Sequence, residues 1–106
     1  MVHEVYFRPH AEADLIAIQR YIAHVAGHGI ADRYAGRIAR ACLGLARFPD
    51  RGRMRDDIYP GLRTTSFEKR TTIAYIVTDD RVVIVGIYYG GRDYERFLFG
   101  DASREP

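Results

Sequence analysis

The spacing of apolar positions changes partway along the chain, and the change divides it into a helical part and a sheet part. Ala11, Leu15, Ile18, Ile22 and Val25 recur at intervals of four and three, which is one face of an α-helix. Pro9 suits the first turn of that helix, where its missing N–H costs nothing. Glu12 and Asp14 place negative charge near its start, where the helix dipole favours it. Gly27 and Gly29 punctuate its end. Ile30, Tyr34, Ile38, Cys42, Leu45 and Phe48 repeat the spacing in a second helix, which Pro49 closes. Two apolar stripes with a short glycine break predict an antiparallel helical hairpin.

The flanking segments read as strands. Val2 to Phe7 is a short β-branched and aromatic run ahead of Pro9. Leu62 to Phe67, Thr71 to Val77 and Arg81 to Tyr89 follow the helices. Glu68-Lys69 and Thr78-Asp79-Asp80 supply the hairpin connections. The last strand is the most apolar, so it is expected at the centre of the sheet. Asp50 to Gly61, with Gly52 and Pro60, is expected to be an irregular loop. Gly90-Gly91 breaks the last strand, and Arg92 to Phe99 forms a short segment with aromatic anchors at Tyr94, Phe97 and Phe99. The order is β-α-α-β-β-β, an α+β arrangement in which the helical stripes bury against a sheet. Its 106 residues suit one domain with one core. That domain is read as residues 1–99, with 100–106 a polar tail.

Composition narrows the class. The chain is 47% hydrophobic and 28% charged, ordinary globular values. No apolar run approaches the roughly 20 residues a membrane span needs. Met1-Val2-His3-Glu4 does not read as the start of a signal peptide. A single cysteine, Cys42, cannot form an intrachain disulfide and is expected to be a buried, inert thiol. These features point to a cytoplasmic protein without a membrane role. Lys69 is the only lysine among 16 basic residues, although the net charge is just +2. Arginine forks carboxylates and phosphates and stacks on flat rings, but a GC-rich genome produces the same bias. Clustering therefore has to carry any binding argument.

Several motifs fall away. His24 and His28 have a helical chelating spacing, yet glycines interrupt the helix there and no further ligand completes a set, so no metal is expected. Gly90-Gly91-Arg92 lacks the spacing and lysine of a phosphate loop. The only serines, Ser66 and Ser103, make no nucleophile elbow. Asp56-Asp57 and Asp79-Asp80 lie in predicted loops, where Asp serves local hydrogen bonding. No cofactor is expected.

Three basic features stand out. Arg33, Arg37, Arg40 and Arg47 fall on one face of the second helix, either a solvated surface or a platform for an acidic partner or phosphates. Arg47, Arg51, Arg53, Arg55, Arg63, Lys69 and Arg70 form a second cluster, diluted by Asp50, Asp56, Asp57 and Glu68. Arg92 stands alone after two glycines at the end of the most buried strand, a common way to present a functional side chain.

The ordered pieces resemble toxins of the RelE/ParE superfamily, from two-gene toxin–antitoxin modules, and within it the ParE branch. They are Phe7-Arg8-Pro9, Ala13-Asp14-Leu15, Tyr21-Ile22, Phe48-Pro49, Gly52-Arg53, Pro60-Gly61-Leu62-Arg63, Ile73-Ala74-Tyr75, and Val85 through Arg92-Asp93. The resemblance implies a helical hairpin on one face of a mostly antiparallel sheet. It implies a cognate, ParD-like antitoxin whose C-terminal segment wraps the toxin, and DNA contact only through that antitoxin. RelE-like members cut messenger RNA on the ribosome without a metal, using basic residues and often a terminal tyrosine. Arg63 and Arg92 match basic positions of that site. Thr65 and Thr72 stand where the resemblance places further basic residues, and Leu98 stands where the tyrosine would be. A site lacking those groups favours the ParE-like alternative, an inhibitor of DNA gyrase acting by protein contact rather than an enzyme. The contact surface expected for target or antitoxin is then Arg63, Arg70 and Arg92 with Tyr89 and Tyr94, and Arg33, Arg37 and Arg40 on the second helix. A ribosome-dependent ribonuclease and a module member that has lost toxicity remain as alternatives.

Overall fold

The change of period falls where the chain changes layer. A computed structural model describes residues 3–90. Strand β1, Glu4–Phe7, leads into helix α1, Pro9–Ala26, and then helix α2, His28–Gly44. A turn of 3-10 helix, Pro49–Arg51, precedes β2, Arg53–Met54, β3, Leu62–Phe67, β4, Thr71–Val77, and β5, Arg81–Tyr89. The five strands form one sheet in the order β1-β5-β4-β3-β2. β1 runs parallel to β5, and the other pairs are antiparallel. The helical hairpin lies on one face.

Pro9 occupies the first turn of α1 as its geometry favours. Gly27 alone separates the helices, at φ 96°, a left-handed conformation open to glycine at little cost. Its N–H donates to Ala23 O and its carbonyl accepts from Ala31, so one residue both closes α1 and opens α2. Gly29 is therefore inside α2 rather than in the break.

The core joins both helices to the sheet. Ala11, Ile18 and Ile22 of α1 and Ala31, Tyr34, Ile38 and Cys42 of α2 pack on Ile73, Tyr75, Val82, Ile84 and Ile87. Three residues of the apolar stripes lie outside it. Val25, Ile30 and Phe48 are 59%, 50% and 65% exposed. Val25 and Ile30 flank the interhelical turn. Phe48 follows α2, which ends at Gly44 rather than running to Pro49. Arg47 likewise lies past the helix end, so it does not share the helical face of Arg33, Arg37 and Arg40.

β5 is interior but not central: β1 covers its outer edge, and β4 is the middle strand. β1 reaches only as far as the Phe7–Ile84 pair. Beyond it, the Ile87 N–H is taken by the Asp14 carboxylate of α1 at 3.0 Å. A buried backbone donor needs such a partner, and Asp14 thereby ties α1 to β5 next to an irregularity in the β4–β5 register. The loop from Asp50 to Gly61 is more ordered than its composition suggests. It contains the 3-10 turn and β2, and Asp56 accepts the Gly61 N–H at 2.8 Å. Among the described residues, no helix is long and apolar enough to cross a membrane.

Candidate interaction surface at one end of the sheet

The β3–β4 turn, the end of β5 and the middle of α2 converge at one end of the molecule. The turn reverses through Glu68 and Lys69 at φ 49° and 65°, both left-handed without being glycine. Such strain persists where surrounding contacts enforce it. Here Arg37 of α2 forks Glu68, with Nε donating to Oε2 at 3.0 Å and Nη2 to Oε1 at 3.1 Å. Two parallel charge-assisted bonds fix geometry as well as charge. The Arg37 guanidinium also lies 5.2 Å from the centre of the Tyr34 ring. Hydrogen bonding to Arg37 holds the Glu68 carboxyl below its ordinary range, and the same contact raises the Arg37 guanidinium.

Aromatic rings bridge the layers behind this fork. Tyr21 of α1 meets Tyr89 of β5 with ring centres 6.0 Å apart. Tyr34 of α2 lies 5.9 Å from both Tyr89 and Phe67. The Tyr34 hydroxyl pairs with Thr71 Oγ1 at 2.7 Å, which satisfies a buried polar group. Tyr89 is half-buried in this cluster, while Tyr21 is 56% exposed at its rim. Arg70 is exposed, and its carbonyl accepts the Gly90 N–H at 2.7 Å. The turn is thus fastened to the end of β5 as well as to α2.

The structure therefore brings together Arg37, Arg70 and Tyr89, with Arg33 and Arg40 exposed on the same helix as Arg37. Arg63 is elsewhere. It lies four residues before Phe67 on β3, about 13 Å along the strand. Its guanidinium donates to the carbonyls of Asp50 at 3.2 Å and Gly52 at 3.0 Å, and pairs with the Asp50 carboxylate at 3.4 Å. Opposite it on β4, the Tyr75 hydroxyl donates to Pro49 O at 2.9 Å and accepts from Gly52 N at 2.8 Å. Burial raises the Tyr75 phenol above its ordinary value. Arg63 and Tyr75 together hold the segment after α2 against the sheet. Arg92 and Tyr94 lie outside the described residues, as does Leu98.

Among the described residues, the positions tied by resemblance to nuclease chemistry, Arg63, Thr65 and Thr72, do not share one face. Strand alternation puts Arg63 and Thr65 on the side of Phe67, which packs on Tyr34 of the helix layer. Thr72 alternates with Thr71 and Ile73, which face the helices, and so lies on the opposite face, 6% exposed. Among the described residues, no group of His, Cys, Asp and Glu could hold a metal ion.

Sequence reasoning missed Tyr21, Tyr34, Phe67 and Glu68 as parts of this surface. Tyr34 was legible only as a core position, and Glu68 only as an acid diluting a basic cluster. Nothing in a single sequence pairs Glu68 with an arginine 31 positions away.

A sequence model described as the ParE toxin of type II toxin–antitoxin systems matches residues 5–94. Among solved structures, the chain is similar to the chromosomal ParDE toxin–antitoxin system from P. aeruginosa. The TM-score is 0.73 at 22% identity, over 83% of this chain and 96% of that one. It is also similar to a RelBE toxin–antitoxin complex from Mycobacterium tuberculosis, with a TM-score of 0.63 at 20% identity, over 84% of this chain and 99% of that one. At these identities the likeness to solved structures is one of fold. No curated protein matches the chain.

Proposed function

From its place in the ParE toxin family of type II toxin–antitoxin systems, to which the chain belongs, we propose that the protein inhibits DNA gyrase by direct contact and is neutralised by a cognate antitoxin. The family match over residues 5–94 carries this reading. Two observations support contact rather than catalysis. Threonines stand at 65 and 72 in place of basic groups, and the sheet turns them to opposite faces. Cleaving RNA through its 2′-hydroxyl needs a base, an acid and cations converging on one phosphate. The described end of the molecule instead presents arginine and tyrosine, the residues enriched at binding hot spots. An antitoxin partner is supported by the fold neighbours, both named as toxin–antitoxin assemblies. A disordered antitoxin tail that orders on the toxin would use helix-in-groove contacts, strand addition, or both.

The experiment is a supercoiling assay with purified toxin, run beside a translation reaction in which messenger RNA integrity is followed. Blocked supercoiling with intact messenger RNA is expected. Normal supercoiling with cleaved messenger RNA would overturn the reading in favour of a ribonuclease. Normal results in both would indicate a module member without either activity. Adding the product of an adjoining antitoxin gene should restore supercoiling.

A further inference from the structure

Gly29, Arg33, Gly36 and Arg40 follow one another at intervals of four, three and four on α2. They form one stripe. Ala31, Tyr34, Ile38 and Cys42 form the buried side of the same helix. A side chain at either glycine would touch the arginine one turn later at ordinary van der Waals distance. A Cβ placed on Gly29 would sit 3.6 Å from Arg33 Nη1, and one on Gly36 would sit 3.6 Å from Arg40 Nη1. Each guanidinium thus lies over bare backbone one turn earlier. Glycine in a helix interior costs about 1 kcal/mol against alanine; Gly36 is such a position, and Gly29 lies in the first turn of α2.

The β3–β4 turn that Arg37 reaches carries more positive charge. Arg37 lies between Arg33 and Arg40 on α2 and is compensated by Glu68. That fork sets the β3–β4 turn against α2, and with it Lys69 and Arg70. Among the described residues, Arg33, Arg40, Lys69 and Arg70 have no ion pair. At the other end of β3 acids are interspersed: Asp50 pairs with Arg63 and Asp57 with Arg55, while Arg51 and Arg53 have no ion pair among the described residues.

We propose that Arg33 and Arg40, with Lys69 and Arg70 beside them, bind the phosphate backbone of duplex DNA directly. A duplex carries one negative charge per about 1.7 Å of its axis. Arg33 and Arg40 are separated by about 10 Å of helix, a length over which a duplex offers about six charges. No register has to be matched. A protein partner is the poorer fit, because interfaces are anchored by buried aromatic and apolar side chains, and between Gly29 and Arg40 this stripe offers only glycine and arginine, with the exposed Leu43 continuing it at the far end. The choice of DNA over RNA rests on the gyrase reading, since that enzyme works on duplex DNA. The contact is additional to any made through an antitoxin.

The test is fluorescence anisotropy of a short labelled DNA duplex with the full-length protein, across about 50 to 200 mM salt. Four phosphate contacts predict a slope of log affinity on log salt of about −3 to −4. The double variant Arg33→Ala, Arg40→Ala should lower that slope to about half. Arg51→Ala with Arg53→Ala removes the same charge at the opposite end of β3 and should leave it unchanged. Circular dichroism checks that both variants fold. Absent DNA binding, equal losses in the two double variants, tighter binding to an RNA duplex of the same length, or displacement of DNA by a polyglutamate peptide at equal charge would each overturn the proposal. Absent DNA binding with supercoiling still inhibited would sink this inference and leave the gyrase reading intact. DNA binding through these arginines with normal supercoiling would do the reverse.

Discussion

The Tyr75 hydroxyl shows how much one buried polar atom organises. It accepts from Gly52 N and donates to Pro49 O, so it closes the chain after α2 onto the sheet. Tyr75→Phe leaves the Gly52 N–H without its acceptor and should cost about 1–3 kcal/mol in urea unfolding. Gly52→Ala approaches the same contact from the other side. A Cβ there would clash with the Tyr75 hydroxyl, so the segment must move. A loss of about 1–3 kcal/mol is expected. Cys42 provides a pH-dependent test. Burial pushes its thiol up from an ordinary 9.0 to about 12. Its folded value exceeds its unfolded one, so its contribution is fully present below pH 9 and is lost as pH rises beyond it. Between pH 9 and 10 the unfolded chain releases a proton that the folded chain keeps. Stability should fall by about 1 kcal/mol over that unit, approaching a slope of about 1.4 kcal/mol per unit only above it, and Cys42→Ala should flatten the slope. An unchanged slope in the variant would show that the thiol is not responsible.

At the level of elements, the β3–β4 hairpin depends on contacts beyond its own residues. Lys69 at φ 65° adopts a conformation that costs a residue with a Cβ about 1–2 kcal/mol. Lys69→Gly should therefore raise the thermal midpoint despite glycine's greater chain entropy; a lowered midpoint would argue against strain there. The Arg37–Glu68 fork holds the turn. Because Arg37 depresses the Glu68 carboxyl, the tie is present above the ordinary carboxylate range and fades as pH falls through it. Amide exchange in residues 67–70 should quicken on acidification, beyond the intrinsic effect of pH. Arg37→Ala should show the quicker exchange already at neutral pH. The helices divide their apolar residues less evenly than their spacing implies. Ile38 is fully buried and Ile30 is half-exposed, so Ile38→Ala should cost about 2–4 kcal/mol. Ile30→Ala should cost far less, and comparable losses would place Ile30 in the core.

Across the whole molecule, the helix layer, the turn and the sheet end combine into one surface that no single element owns. Tyr21 comes from α1, Tyr34 and Arg37 from α2, Phe67 from β3 and Tyr89 from β5. If this end meets a partner, Tyr21→Ala should weaken toxicity or antitoxin binding while leaving stability nearly unchanged, because the ring is at the rim. Growth of cells expressing the variant, alone and with the antitoxin, separates the two effects. Arg92→Ala belongs to the same test, since Arg92 follows β5 in sequence after Gly90, which is bonded to Arg70.

The sequence by itself determined the element order and most of the core. Helical and strand periods are local properties, set by which positions must be buried together. Pro9 and Gly27 mark their boundaries through backbone constraints that need no tertiary context. The family resemblance was legible for the same reason, in short ordered pieces such as Pro60-Gly61-Leu62-Arg63. The tertiary structure decided what depends on distant partners. It placed β1 beside β5 and so made β4 the middle strand. It turned Arg63 to the loop of Asp50 and Gly52. It joined Arg37 to Glu68, and Asp14 to Ile87 across 73 positions. Arginines equivalent in a sequence differ once folded, because an ion pair depends on a partner within a few ångströms. That proximity separates the compensated Arg37 and Arg63 from Arg33 and Arg40, which have no ion pair among the described residues.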